Sequence, residues 1–111
     1  LNNDEMAYFK FDEYSTLSFT DERTRLDNFA TRLLREPNTK GYIILYGGQR
    51  MRSRETQARA KRAKNYLVKS RGIDARRIVT IAGERRKEFE VELYVLPNSK
   101  SPSIPNANRD E

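Results

Sequence analysis

A chain of 111 residues is the length of one domain, and its apolar 36% is clustered and periodic enough to fill a single α/β core. With no Cys and no His it can build no thiol nucleophile, imidazole base, disulfide, or the usual zinc, haem or iron–sulfur site, so neither a metal nor a cofactor is expected. The formal charge of +6 excludes an acidic, polycation-binding chain and directs attention to anionic partners.

Residues 1–5, LNNDE, read as a polar lead-in, and the aromatic-rich MAYFKF from Met6 to Phe11 reads as a first strand. After a turn over Asp12 to Ser18, Thr20 is a plausible N-cap, with Asp21 and Glu22 suited to the positive end of a helix dipole. The helix that follows places Leu26, Phe29, Ala30, Leu33 and Leu34 on one stripe, and Glu36-Pro37 stops it.

A short loop from Pro37 to Gly41 leads into YIILY, Tyr42 to Tyr46. This stretch is apolar throughout, as a central strand covered on both faces should be. Gly47-Gly48 is a turn, Ser53 can cap, and a second helix is expected to about Arg71, with Gly72 as its left-handed stop. Ala60, Ala63, Leu67 and Ser70, with Tyr66 beside them, form a narrow stripe that lets this helix sit close to a sheet.

RIVTIA, Arg77 to Ala82, reads as a third strand and Gly83 to Lys87 as a tight connection. In FEVELYVL, Phe89, Val91, Leu93 and Val95 alternate with Glu90, Glu92, Tyr94 and Leu96, the period-two mark of a strand with one face better buried. The short connection predicts an antiparallel hairpin between these last two strands. Residues 97–111 hold three of the four prolines and no amphipathic period. They read as an extended Pro/Asn/Ser-rich tail, expected to be held against a neighbouring chain or the domain's own surface.

The predicted order is β-α-β-α-β-β over residues 6–96, two helices packed on a mixed four-stranded sheet. No apolar run approaches the roughly 20 residues that cross a bilayer. Because the chain begins at Leu1 rather than Met, an N-terminal segment is expected to have been removed or to belong to a longer protein.

The helix containing Arg59-Ala60 and Asn65-Tyr66-Leu67, followed by Arg71-Gly72-Ile73-Asp74-Ala75-Arg76-Arg77-Ile78, resembles the OmpA-like C-terminal, peptidoglycan-associating domain. The upstream FDEYSTLSFTDERTRLDNFATRLLREP is similar to that family's first strand and helix, so the resemblance spans residues 8–96. It implies a periplasmic or cell-envelope location, with outer-membrane association through a segment outside this sequence. It also implies non-covalent binding of peptidoglycan, in which an Asp after the second strand and the Arg of the Arg-Ala pair hold the zwitterionic end of a diaminopimelate side chain. A carboxylate meets the ammonium and a bidentate guanidinium meets the carboxylate.

Arg59 matches that Arg. Gly48 or Gln49 stands where the family has its Asp, the loop to the helix is shorter, and Glu55-Thr56 replaces the usual Leu-Ser. The family's later Asn-Arg-Arg is also absent in register, where Glu88-Phe89-Glu90 stands. The site has its anion-binding half and lacks its ammonium-binding half.

Charge is segregated along the chain. Residues 50–87 hold fourteen Lys or Arg against three Asp or Glu, a net of +11, while the rest of the chain carries −5. A solvated helix needs polar residues opposite its stripe, which accounts for any single Arg, but it would mix Glu with Lys. The excess therefore marks Arg50, Arg52, Arg54, Lys61, Arg62 and Lys64 as a basic interaction surface.

No RNA-recognition signature, GxxG loop, Walker motif or GxGxxG is present, so nucleic acid is the least favoured anion. The acidic pairs Asp4-Glu5, Asp12-Glu13 and Asp21-Glu22 fit solvation or capping, and no catalytic residue is assigned. The reading is a non-enzymatic envelope assembly module with a structural or protein-interaction role. The alternatives are a peptidoglycan tether through Arg59, and a basic accessory subunit docking on an acidic partner, a membrane complex or nucleic acid.

Overall fold

The structure, a computed structural model, describes residues 1–102 and the backbone of 108–110. Its elements in chain order are α1 (Asn3–Tyr8), β1 (Lys10–Tyr14), α2 (Phe19–Arg35), β2 (Thr39–Tyr46), α3 (Ser53–Asn65), β3 (Ile78–Ala82), β4 (Glu90–Pro97) and the short β5 (Asn108–Asp110). The four principal strands form a mixed sheet in the order β1-β4-β2-β3, and β5 lies antiparallel on the free edge of β3. This is the expected α+β architecture, two long helices on a mixed four-stranded sheet.

The long helices share one sheet face. Leu26, Phe29, Ala30 and Leu33 of α2, with Ala63 and the following Leu67, pack on Ile43, Leu45, Ile78, Phe89, Val91, Leu93 and Val95. The stripe read from α2 is the buried one except for Leu34, which remains exposed. The cap is Ser18, not Thr20: its hydroxyl accepts from the Asp21 N–H at 3.2 Å, so the helix begins two residues earlier. Ser53 is likewise the first residue of α3 rather than its cap, a position held by Arg52 without a capping side chain.

After Asn65 the helix widens into a π turn over Tyr66–Ser70. It ends before Gly72, whose φ of +74° is the left-handed stop expected there.

The opposite face explains why YIILY is apolar throughout. Tyr42, Ile44, Val79, Ile81, Tyr94 and Leu96 are covered there by Met6, with Leu1 and Phe9 alongside. Residues 1–5 are therefore not a lead-in, and Met6–Phe11 is not a strand. Asn2 and Glu5 form a reciprocal capping box, Asn2 Oδ1 accepting from Glu5 N at 2.8 Å and Glu5 Oε1 accepting from Asn2 N at 3.1 Å. That box starts α1, which drives Met6 onto the sheet and delays β1 to Lys10.

The hairpin expected between the last two strands does not form. β4 pairs antiparallel with both β1 and β2, while β3 pairs parallel with β2, so the chain leaving β3 passes the end of β2 to reach β4. Burial gives the reason: Val91 to Leu96 are all buried, which demands an interior place in the sheet. Two strand spacings are about 10 Å, well within the reach of the connecting residues.

Of the tail, Pro97 ends β4, and Asn108–Asp110 returns to pair with Thr80–Ala82 of the same chain. Residues 103–107 and 111 lie outside the described residues. A further tie joins the two βα halves. Arg77, just before β3, donates to the carbonyls of Leu33 at 2.8 Å, Glu36 at 2.9 Å and Thr39 at 3.0 Å, closing the C-terminal end of α2.

Candidate functional site

The loop Gly47–Arg52 joins the C-terminal end of β2 to α3, and the chain between β3 and β4 holds it in place. Arg85 is the clamp: its guanidinium donates to the Gly48 carbonyl at 2.8 Å, to the Met51 carbonyl, and to Ser53 Oγ at 3.3 Å. Backbone bonds add to it, Arg86 N–H to Gly47 O at 3.0 Å and Gln49 N–H to Lys87 O at 3.4 Å. Arg85 was not singled out by spacing, because its partners are mostly carbonyls, which carry no sequence signature.

Of Gly48, Gln49 and Arg59, expected to share a ligand site, Gly48 and Arg59 are brought together at Phe89. A Cβ on Gly48 would stand 3.1 Å from the Phe89 nitrogen, so glycine is required by close approach of the two backbones. The Arg59 guanidinium lies over the Phe89 ring at 4.8 Å from its centroid and pairs with Glu55 at 3.1 Å. Its side chain keeps 26% of its exposure. Gln49 is exposed at the rim. The carboxylate nearest Arg59 is thus Glu55, one helical turn earlier, rather than a residue of the loop.

The six residues expected to form the basic surface divide in two. Arg62 is exposed but committed to the protein: it pairs with the buried Glu22 at 3.3 Å and covers the Phe19 ring at 4.5 Å, tying α3 to α2. Glu22 also accepts from the Tyr14 hydroxyl at 2.5 Å. Burial, with the Glu22 charge beside it, holds the Tyr14 phenol far above its ordinary range, so it donates throughout. Arg50, Arg52, Arg54, Lys61 and Lys64 make no ion pair or side-chain hydrogen bond among the described residues, and all but the half-buried Lys64 are exposed.

On the other side of the loop, a cavity of about 660 Å³ opens at the C-terminal ends of the parallel strands β2 and β3. Ser53, Thr56, Gln57, Ala60 and Lys61 of α3 form one wall, and Thr80 to Arg85 the other. Nothing in the sequence announced this cavity, which depends on β3 sitting beside β2 rather than in a hairpin with β4.

A third polar cluster lies on the α1 side of the sheet. Glu92 is 6% exposed, accepts from the hydroxyls of Tyr46 at 2.8 Å and Tyr94 at 3.0 Å, and pairs with Lys10 at 3.4 Å and Arg86 at 3.5 Å. Burial alone would raise its pKa, but the two hydroxyls and two cations outweigh that and lower it. All its partners are protein groups, so the cluster reads as a structural knot.

Among the described residues no group of acidic side chains is arranged to hold a metal, and no helix is long and apolar enough to cross a membrane. No protein-family model matches the chain, and no curated protein matches it by sequence.

Proposed function

We propose that this chain is a non-enzymatic binding module of the cell envelope, OmpA-like in kind, whose basic loop and exposed α3 face dock on an acidic protein partner. The observation that carries this reading is the division of the cations. Those with a structural duty, Arg59, Arg62, Arg77, Arg85 and Arg86, are bonded to the protein itself. Arg50, Arg52, Arg54, Lys61 and Lys64 are left with solvent on a fixed loop and helix. Like charges held close together repel one another, and an acidic partner would relieve that repulsion while releasing little bound structure.

Binding to poly-L-glutamate, followed by fluorescence anisotropy across a salt series, tests it. Affinity should fall steeply with salt and drop at least about tenfold when Arg50, Arg52 and Arg54 are changed together to Gln. No binding to polyglutamate, or tighter binding to duplex DNA at the same salt, would overturn it.

A second reading, the peptidoglycan tether, rests on the approach of Arg59 and Gly48 to Phe89, with the Glu55 carboxylate 3.1 Å from Arg59. That pair offers both signs of charge to a zwitterion, from one helix instead of from a loop and a helix. Co-sedimentation with purified sacculi that is lost in Arg59→Ala would support it. Wild-type protein that stays in the supernatant would remove it.

A further inference from the structure

We propose that the cavity between α3 and the C-terminal halves of β2 and β3 is a second binding site, for a small molecule bearing a carboxylate or phosphate group. Three independent features converge there. The first is position: the carboxyl ends of adjacent parallel strands, with the start of the intervening helix above them, form the crevice in which open α/β sheets hold ligands.

The second is an unanswered hydroxyl. Thr56 is 7% exposed, its side chain makes no hydrogen bond among the described residues, and it lines the cavity. Every fully buried side-chain oxygen and nitrogen among the described residues has a partner, so the remaining exposure of the Thr56 hydroxyl is to the cavity. Open to the cavity, that hydroxyl is free to donate to a bound oxyanion. Gly47 keeps that space open: its φ is not positive, yet a Cβ there would stand 2.9 Å from Thr56 Oγ1.

The third is the sign of the field. α3 runs for 13 residues and begins at Arg52 with no capping side chain, so its first free N–H groups are left to solvent beside the cavity wall formed by Ser53, Thr56 and Gln57. Lys61, two turns on from Ser53, adds an ammonium without an ion pair among the described residues, and Arg85 adds a guanidinium at the mouth. This site shares Lys61 with the docking face but is otherwise set apart from it, since it uses the side of α3 that carries Thr56 and Ala60 and none of Arg50, Arg52, Arg54 or Lys64.

Titration of the ¹⁵N-labelled chain with sodium phosphate and, separately, sodium acetate tests it, with chloride exchanged to hold ionic strength constant. Saturable shifts are expected at the amides of residues 53–57 and 80–84. The apparent Kd should rise about tenfold in Thr56→Val, which keeps the shape and removes the hydroxyl, and by a smaller factor in Lys61→Gln. Phosphate or acetate saturating alone identifies which oxyanion the site takes. Shifts that match the chloride control, that never saturate, or that fall only on Arg50, Arg52 and Lys64 overturn the proposal. So does saturation unaffected by Thr56→Val, with folding of the variant verified by circular dichroism. Because the polyglutamate test changes only Arg50, Arg52 and Arg54, none of which lines the cavity, either proposal can fail while the other stands.

Discussion

The two faces of the sheet are sealed by different means. On the α2 and α3 face, two long helices lay down a continuous apolar layer in which Leu26, Phe29, Ala30, Leu33, Ile43, Leu67 and Leu93 have no exposure at all. On the other face, one helix of 6 residues covers only part of the strands, and the sheet beyond it is closed by the Glu92 knot of two tyrosines, a lysine and an arginine. The first face owes its stability to area removed from water, and the second depends on each polar group finding a partner. An apolar face degrades in proportion to what is cut away, whereas a polar knot loses disproportionately when one member is removed.

The largest expected effect belongs to the apolar face. Phe29→Ala should cost about 4 kcal/mol in urea-induced unfolding, because the ring is wholly enclosed and touches Phe11 as well as the strands. Met6→Ala should cost about 2 to 3 kcal/mol, since Met6 is the single fully enclosed anchor of α1 and the short helix has little else to hold it down. A loss as large as that of Phe29→Ala would mean that the two faces do not differ in kind.

Glu92→Gln should cost about 2 kcal/mol at neutral pH, by leaving Lys10 and Arg86 without their shared carboxylate. Its pH dependence sharpens the comparison. The folded pKa of Glu92 lies below its ordinary value of 4.5, so the carboxylate stabilises the fold above that value, and the contribution fades as pH falls through the folded pKa. The gap between wild type and Glu92→Gln should therefore be full at pH 7 and shrink below about pH 4.5, with Phe29→Ala showing no such trend. A gap that is constant with pH would sink the account of the knot.

Gly72→Ala should cost about 1 kcal/mol, the strain of a side chain at φ +74°, with open space around the new methyl. Arg50, Arg52 and Arg54 changed together to Gln should leave thermal stability within about 0.5 kcal/mol of wild type, since none of their side chains is bonded to the protein among the described residues. Destabilisation of more than that would assign those arginines a structural duty and remove the reason for giving them a partner.

Periodicity carried much of this fold. The α2 stripe and the doubly buried YIILY emerge where pattern placed them, because one repeat meets one environment over several residues, whereas the alternation of FEVELYVL marked a strand but not its burial, which extends to both faces. What pattern missed was decided by single contacts. MAYFKF looks like a strand until Asn2 and Glu5, three residues apart, are read as a capping box. The hairpin expectation failed because connection length was weighed above burial: only an interior strand buries Val91 through Leu96 on both sides.

The candidate site was legible in the same uneven way. Gly48 and Arg59 do meet, at Phe89, which the alternation assigns to the core alone, while Gln49 stands exposed beside them in the loop. Arg62 reads as surface in sequence, but its partner Glu22 lies forty residues away and no local pattern links them. Thr56 has no signature whatever, since its importance rests on a hydrogen bond it does not make.

Arg77 has a consequence for how the molecule comes apart. Its guanidinium satisfies carbonyls 38 to 44 residues back in the chain, so the end of α2 is complete only while β3 is docked. Neither βα half can open by itself without orphaning acceptors in the other. Amide protons in the last turn of α2 and in β3 should then exchange at a common rate, as parts of a single unfolding unit with no boundary between the halves.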